Sequence, residues 1–232
     1  MRLQDARRDL YRRLAKEQGY KSRAAFKLIE VNEKFGFIRE GDVVLDFGSA
    51  PGGWLQVCSK LVGERGRVVG VDLTEIRLRL NNVVILKADV FGDTILAALS
   101  AAAGGRMADS VLSDLSPSVS GVWELDHIRQ ADLTLRVLEL SQTLLRRGGS
   151  GFFKAFEGER SPEVRDALRQ SFKMIHPFKP LASRSASSEL YYYCEGWRGR
   201  PEAATEPEAF LPARVQRRPD SASSLTTATT WP

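Results

Sequence analysis

Four carboxylates and one lysine are the residues of this chain best suited to chemistry. Asp46, Asp72, Asp89 and Asp114 follow short apolar runs, among them Val43-Val44-Leu45, Val68-Val69-Gly70-Val71 and Ile85-Leu86-Lys87-Ala88. A carboxylate at the edge of a buried strand costs stability unless it is paired or put to use, so four in succession at strand tips point to a ligand. Lys154 lies within Gly151-Phe152-Phe153-Lys154-Ala155-Phe156. An ammonium between phenylalanines faces a severe desolvation cost unless a carboxylate lies close. Asp114, on the neighbouring predicted strand and amid the hydroxyls of Ser113 and Ser116, is the natural partner. The bland reading is a strand-end lysine that reaches water.

The first of these acids opens the run Asp46-Phe47-Gly48-Ser49-Ala50-Pro51-Gly52-Gly53-Trp54. Glycines in a strand-to-helix turn let backbone approach a ligand closely and tolerate positive φ. The Walker Lys-Ser/Thr is missing, and G-x-G-x-x-G fails because Ser49-Ala50-Pro51 follows Gly48. An acid at the strand tip suits a cationic, hydroxyl-rich ligand, and S-adenosylmethionine is both. Asp72, about twenty residues beyond the turn, is placed to accept from the ribose hydroxyls of an adenosine. NAD would use the same acid, but it also needs its pyrophosphate bound, and Pro51 has no N–H to offer. Asp89 is a candidate acceptor for an adenine amino group, or a helix cap, a role for which Asp93 is better placed. Trp54 reads as a core aromatic first and a lid second, and a plain glycine-rich turn is the competing explanation for the whole run.

The predicted elements hold these residues at one end of a sheet. Helices are expected over 3–18 and from Arg23, capped by Ser22, to about Phe35. Strands at 43–47, 67–71, 83–87, 109–113 and 150–156 alternate with helices at 53–62, 93–103, 126–146 and 162–172. A further aromatic strand holds Cys194. Alternation of this kind predicts an α/β, Rossmann-like fold with a mostly parallel sheet and helices on both faces, whose ligands bind beyond the carboxyl ends of the strands. The expected organisation is a basic helix over 1–19, a catalytic domain over 20–196 and a disordered tail over 197–232. That tail holds five of the ten prolines and too little apolar surface to offset its ordering entropy.

Charge locates a partner surface. The chain carries 34 Lys and Arg against 29 Asp and Glu over 232 residues. Residues 1–27 alone hold nine basic side chains (Arg2, Arg7, Arg8, Arg12, Arg13, Lys16, Lys21, Arg23, Lys27) against three acids. This asymmetry fits a polyanion, although a solvated basic helix would look the same. Cys58 and Cys194 are isolated, and His127 and His176 read as surface or packing residues, so neither a metal nor a redox pair is expected. No G-x-S-x-G elbow supports hydrolase chemistry. A charged N-terminus and the lack of an apolar run of about 20 residues predict a cytoplasmic protein without a leader or membrane span.

With these residues in hand, the chain resembles the FtsJ-type ribosomal RNA 2′-O-ribose methyltransferases. The resemblance runs from about Tyr20 to Cys194 and rests on five ordered motifs: Lys21 to Leu28, Asp46 to Trp54, Ser113 to Gly121, Gly148 to Gly158 and Ser183 to Tyr191. It implies a seven-stranded methyltransferase fold and S-adenosylmethionine as cofactor. The family's catalytic Lys-Asp-Lys-Glu set falls on Lys27, Asp114, Lys154 and Glu189. Its cofactor contacts fall on Gly52, Trp54, Asp72, Asp89 and Asp114, with Gly48, Pro51 and Gly53 in the same turn. Ser49 stands where Ala is usual and Ser118 where Asn is usual, and Ser120 to His127 looks closer to archaeal members. The implied substrate is a uridine ribose in large-subunit ribosomal RNA, approached through the basic N-terminal region by what is expected to be a monomer. A transfer RNA substrate is the alternative within the family. A non-catalytic RNA-binding assembly factor and a nicotinamide dehydrogenase are the alternatives outside it. Whether Lys154 takes the 2′-hydroxyl proton or steers the oxyanion is open at the level of sequence.

Overall fold

The computed structural model describes residues 3–118, 120–183 and 189–199, with side chains from residue 10 onward. These lie in one compact unit, Met1–Arg200. The predicted disordered tail beyond Gly199 lies outside the described residues, as does the stretch 184–188 of the last motif.

The elements run α1 (Leu3–Glu17), α2 (Ala25–Phe35), β1 (Val43–Phe47), α3 (Gly53–Val62), β2 (Arg67–Asp72), β3 (Val83–Lys87), α4 (Ile95–Ala102), β4 (Ala108–Ser113), α5 (Trp123–Leu144), β5 (Leu145–Phe156), α6 (Ser161–Ser171), β6 (Phe172–Phe178) and β7 (Glu189–Trp197). The seven strands form one sheet in the order β3-β2-β1-β4-β5-β7-β6. The first five strands pair parallel, and β7 is antiparallel to both β5 and β6. Alternating side chains fill two cores. Val43, Leu45 and Phe47 of β1 pack towards α4, α5 and α6, whereas Val44 shares a cluster with Leu28 and Val31 of α2 and Leu55 and Cys58 of α3. Burial on both faces explains why β1 reads as an unbroken apolar run.

Several boundaries differ from the pattern-based expectation, each for a physical reason. β5 starts at Leu145, five residues early, because Gly148-Gly149 sits inside the strand: the register against β4 shifts between Ala108 and Ser110, and Gly148 has φ 80°. A glycine pair read as a turn is here a strand irregularity. β6 had no place in the expected series because Pro177 argues against a central strand. It is an edge strand, where the missing N–H is tolerated. Ser22 does not cap α2: Ala24 holds the cap position with no side-chain bond, and the Ser22 hydroxyl is buried without a partner. Asp93 does not cap α4 either, since Thr94 occupies that place. Trp197, placed in the tail by composition, ends β7 at 2% exposure.

Candidate active site

Three elements converge beyond the carboxyl end of β4. In β5 and β7 the register sets Lys154 opposite Tyr191 and Phe156 opposite Glu189, so alternation puts all four side chains on one face of the sheet. Helix α2 covers that face, carrying Lys27 among buried Ala25, Leu28 and Val31. Its position is fixed from several sides. The Trp54 indole N–H donates to the Ala24 carbonyl at 2.7 Å, the Arg23 guanidinium to the Ala182 carbonyl at 2.8 Å, and the Leu181 N–H to Glu30 at 2.8 Å. From α5, the Gln130 amide and Thr134 hydroxyl donate to the Lys154 carbonyl at 3.3 and 3.0 Å.

Within this frame the Lys27 ammonium donates to Glu189 Oε1 at 2.8 Å and to the Tyr191 hydroxyl at 2.6 Å. The Tyr191 hydroxyl lies 2.6 Å from Asp114 Oδ1 and 2.9 Å from Glu189 Oε1. Lys154 Nζ sits 3.2 Å from Asp114 and 3.5 Å from Glu189, and donates to the Ser116 hydroxyl. Lys27, Lys154 and Glu189 are each under 10% exposed, and Tyr191 is fully buried. Two amines and two carboxylates thus meet around one phenol. Burial would raise the Glu189 carboxyl, but Lys27 and Lys154, together with hydrogen bonds from Lys27 and Tyr191, outweigh it and hold the group at about 2. Burial first, then the charges of Asp114 and Glu189, drive the Tyr191 phenol well above its usual range, so it remains a donor.

The FtsJ-like methyltransferase model matches residues 20–197. The chain belongs to the FtsJ-like methyltransferase family. It is 43% identical to the ribosomal RNA large subunit methyltransferase E of Nitrosopumilus maritimus, over 86% of this chain and the whole of that one. The protein of the same name from Cenarchaeum symbiosum is 46% identical over the same shares. Among solved structures, a Plasmodium falciparum protein assigned as a ribosomal RNA methyltransferase superposes with TM-score 0.70 at 26% identity, covering 78% of this chain and all of that one.

In this FtsJ-like methyltransferase the glycine turn has a definite geometry. Gly48, at φ 82°, packs so tightly that a Cβ would meet the Leu115 backbone nitrogen at 2.7 Å, binding the β1 turn to the loop after β4. Gly52, at φ 110°, starts α3, and Gly53 is its first residue. Pro51 is exposed. Both Asp72 oxygens accept backbone N–H groups, from Ala50 at 3.0 Å and Thr74 at 2.7 Å. Each keeps a lone pair for a further donor. Asp89 is exposed and accepts from the Phe91 N–H at 2.9 Å. Trp54 is 3% exposed and stands against Phe152 at 5.6 Å, which makes it a strut between α2 and α3. A cavity of about 440 Å³ opens between the loops after β3 and β4, lined by Phe91, Pro117 and Leu133.

Sequence reasoning gave no role to Tyr191 or Asp126 of this family member, and named Ser116 only as a hydroxyl near Asp114. Tyr191 is the hub of the cluster, and its spacing of two from Glu189 was the available signal. Ser116 holds Lys154. Asp126 accepts from the Ser120 N–H at 2.9 Å and its hydroxyl at 2.7 Å, bonds that lower its carboxyl and secure the far end of the loop after Asp114. Asp46 stands one residue before the end of β1, 0% exposed, with no hydrogen bond to either carboxyl oxygen. His127 is a packing residue at 3% exposure, accepting from the Arg160 N–H at 2.9 Å. Among the described residues no group of three or more His, Cys, Asp or Glu could hold a metal.

Proposed function

We propose that this chain uses S-adenosylmethionine to methylate a ribose 2′-hydroxyl of large-subunit ribosomal RNA, with a uridine as the favoured target. The observation that carries the reading is the convergence of Lys27, Asp114, Lys154 and Glu189 around the Tyr191 hydroxyl.

The residues beyond the strand tips fit this donor. The cavity lined by Phe91, Pro117 and Leu133 together with Ser118, Arg129 and Asp132 offers apolar faces and polar edges for an adenine, with Asp89, two residues before Phe91, as acceptor for its amino group. Asp72 retains the lone pairs to take ribose hydroxyls, and the turn of Gly48, exposed Pro51, Gly52 and Gly53 would lie towards the methionine end. When bound, the donor supplies an activated methyl group on a sulfonium.

The protein's contribution is then placement and charge. Lys154 reaches exposed Ser116, whereas Lys27 reaches buried Glu189 and Tyr191, so Lys154 is the amine that meets the attacking 2′-oxygen. It orients that oxygen and stabilises the negative charge left as the 2′-hydroxyl proton passes to solvent near exposed Ser116, a task for a preorganised donor. Asp114 and Glu189 fix its Nζ, while Lys27 and Tyr191 fix the carboxylates. Most of the acceleration comes from alignment of oxygen and methyl.

RNA approaches from α1 and α2, where Arg12, Lys16, Lys21 and Arg23 line a cavity of about 450 Å³. The side chains of Arg2, Arg7 and Arg8, and Arg184, lie outside the described residues, and exposed Lys179 adds charge from the β6–β7 loop. Contacts to phosphate predict affinity that falls steeply with salt. The test is ribose-methylation mapping of ribosomal and transfer RNA incubated with the protein and labelled S-adenosylmethionine. A single new 2′-O-methyl mark in large-subunit RNA is expected. A mark confined to transfer RNA would move the substrate, and none anywhere would overturn the reading.

A further inference from the structure

An aromatic surface beside the lysine-carboxylate cluster has no role in the chemistry above. Trp123 begins α5 at 48% exposure, with Val122, Leu125 and Ile128 exposed around it at 53, 38 and 37%. Its ring is nearly parallel to that of Phe156, with centroids 6.1 Å apart and planes 15° from each other, and lies at 19° to the His127 ring on its own helix. Phe156 in turn has Lys154 Nζ 5.9 Å from its centroid. The Phe156 ring therefore neighbours both the indole and the Lys154 amine. His127 is itself held by the tight β5–α6 turn, where Gly158 approaches so closely that a Cβ would meet the imidazole at 2.7 Å. Trp123 is thus braced by two rings and still 48% exposed.

We infer that the Trp123 indole is a stacking platform for an unpaired nucleobase next to the ribose that Lys154 addresses. Fold stability does not account for it, since an indole held half in water gives up much of the burial an aromatic offers. Glu124, Glu157 and Glu159 outnumber Arg129 around the patch, so the contact would rest on the ring face rather than on phosphate attraction, with the carboxylates as acceptors for base amino groups. Protein interface cores are depleted in acidic side chains, whereas a stacked base covers one ring face and leaves its polar edges to water and to acceptors for exocyclic amino groups. Single-stranded RNA is recognised chiefly through such splayed bases on aromatic side chains. The inference rests on RNA being the substrate. It adds that the target nucleotide or its neighbour is unstacked when bound.

The test uses the full chain carrying Trp231→Phe, so that Trp123 is the indole that reports, Trp54 and Trp197 being 3 and 2% exposed. Titration with an unstructured uridine-rich oligoribonucleotide should quench indole emission saturably in this parent. Trp123→Phe should abolish the quench while binding RNA more weakly. Trp123→Ala should weaken RNA binding roughly 5- to 150-fold, the range for losing one stacked base, raising KM for RNA with little change in kcat at saturation. S-adenosylmethionine affinity and thermal midpoint should stay at the parent's level in Trp123→Phe, which excludes misfolding as the cause. Absence of quenching in the parent, or RNA affinity in Trp123→Ala within twofold of it, would overturn the inference. So would unchanged binding to naked RNA with loss confined to assembled large subunits, which marks a protein contact. Saturable quenching without methyl transfer by the parent would sustain this inference while sinking the proposed activity.

Discussion

Asp46 and Glu189 are both carboxyls less than a tenth exposed on the same face of one sheet, and their surroundings push them in opposite directions. Asp46, within β1, has no partner for either oxygen. Burial first, then the charges of Asp114 and Asp72, raise it to about 8, and the nearby Ser49 hydroxyl, which donates to the Asp46 backbone carbonyl at 2.6 Å, does not offset them. Glu189, at the start of β7, keeps its charge because two amines and a phenol face it, and it falls to about 2. Burial alone therefore says nothing about the charge a group carries. The partners that other elements deliver decide it.

Removing the amine at the centre of the paired region should have the largest effect. Lys154→Ala is expected to lower methyl transfer about a hundred- to a thousandfold, measured as label incorporated into ribosomal RNA, while calorimetry shows the cofactor still binding. Turnover near the parental rate would remove Lys154 from the chemistry.

Glu189→Gln comes next, because it leaves two buried amines with only Asp114 between them. Breaking a buried pair in this way costs about 3–5 kcal/mol, read by urea unfolding at pH 7. The folded carboxyl lies below its unfolded value of 4.5, so its stabilisation is complete above that pH and disappears as pH falls towards about 2. The variant should lack that acid-range slope, worth about 3 kcal/mol in the parent.

Asp46→Asn should act with the reverse sign. The folded group holds its proton up to about 8, while the unfolded one releases it near 3.8, so the parent loses stability as pH rises between those limits. An amide has no proton to lose. The variant should be more stable than the parent at pH 7, by as much as about 4 kcal/mol, and the gap should close near pH 4. A gap that widens at acid pH would show Asp46 to be ionised. As the smallest effect, Glu40→Gln breaks an exposed pair with Arg65 at 2.8 Å and should leave the unfolding midpoint where it was.

Periodicity made the parallel half of the sheet legible, since β1 to β3 are built on short apolar runs bounded by turns and β4 on Val111-Leu112, and it placed Asp72, Asp89 and Asp114 at or just beyond strand ends. It served less well where local signals were overridden. Gly148-Gly149 reads as a turn until strand pairing absorbs it, Pro177 hides an edge strand, and Ser22 looks like a cap although Ala24 takes the place. Trp54, in the most conspicuous motif, is a strut whose N–H holds α2, while Tyr191, the last residue of the last motif, bonds Lys27, Asp114 and Glu189.

By itself the sequence determined which chemical groups the protein owns, the order of its strands and helices, and, through side-chain alternation, which residues share a face of the sheet. It could not determine which charges meet. Lys27 and Glu189 stand 162 residues apart and lie 2.8 Å from each other only because β7 runs antiparallel beside β5 and α2 is bolted over both. Long-range ion pairing is decided by packing, which local sequence cannot encode, and packing is also what charged one buried carboxyl and left another neutral.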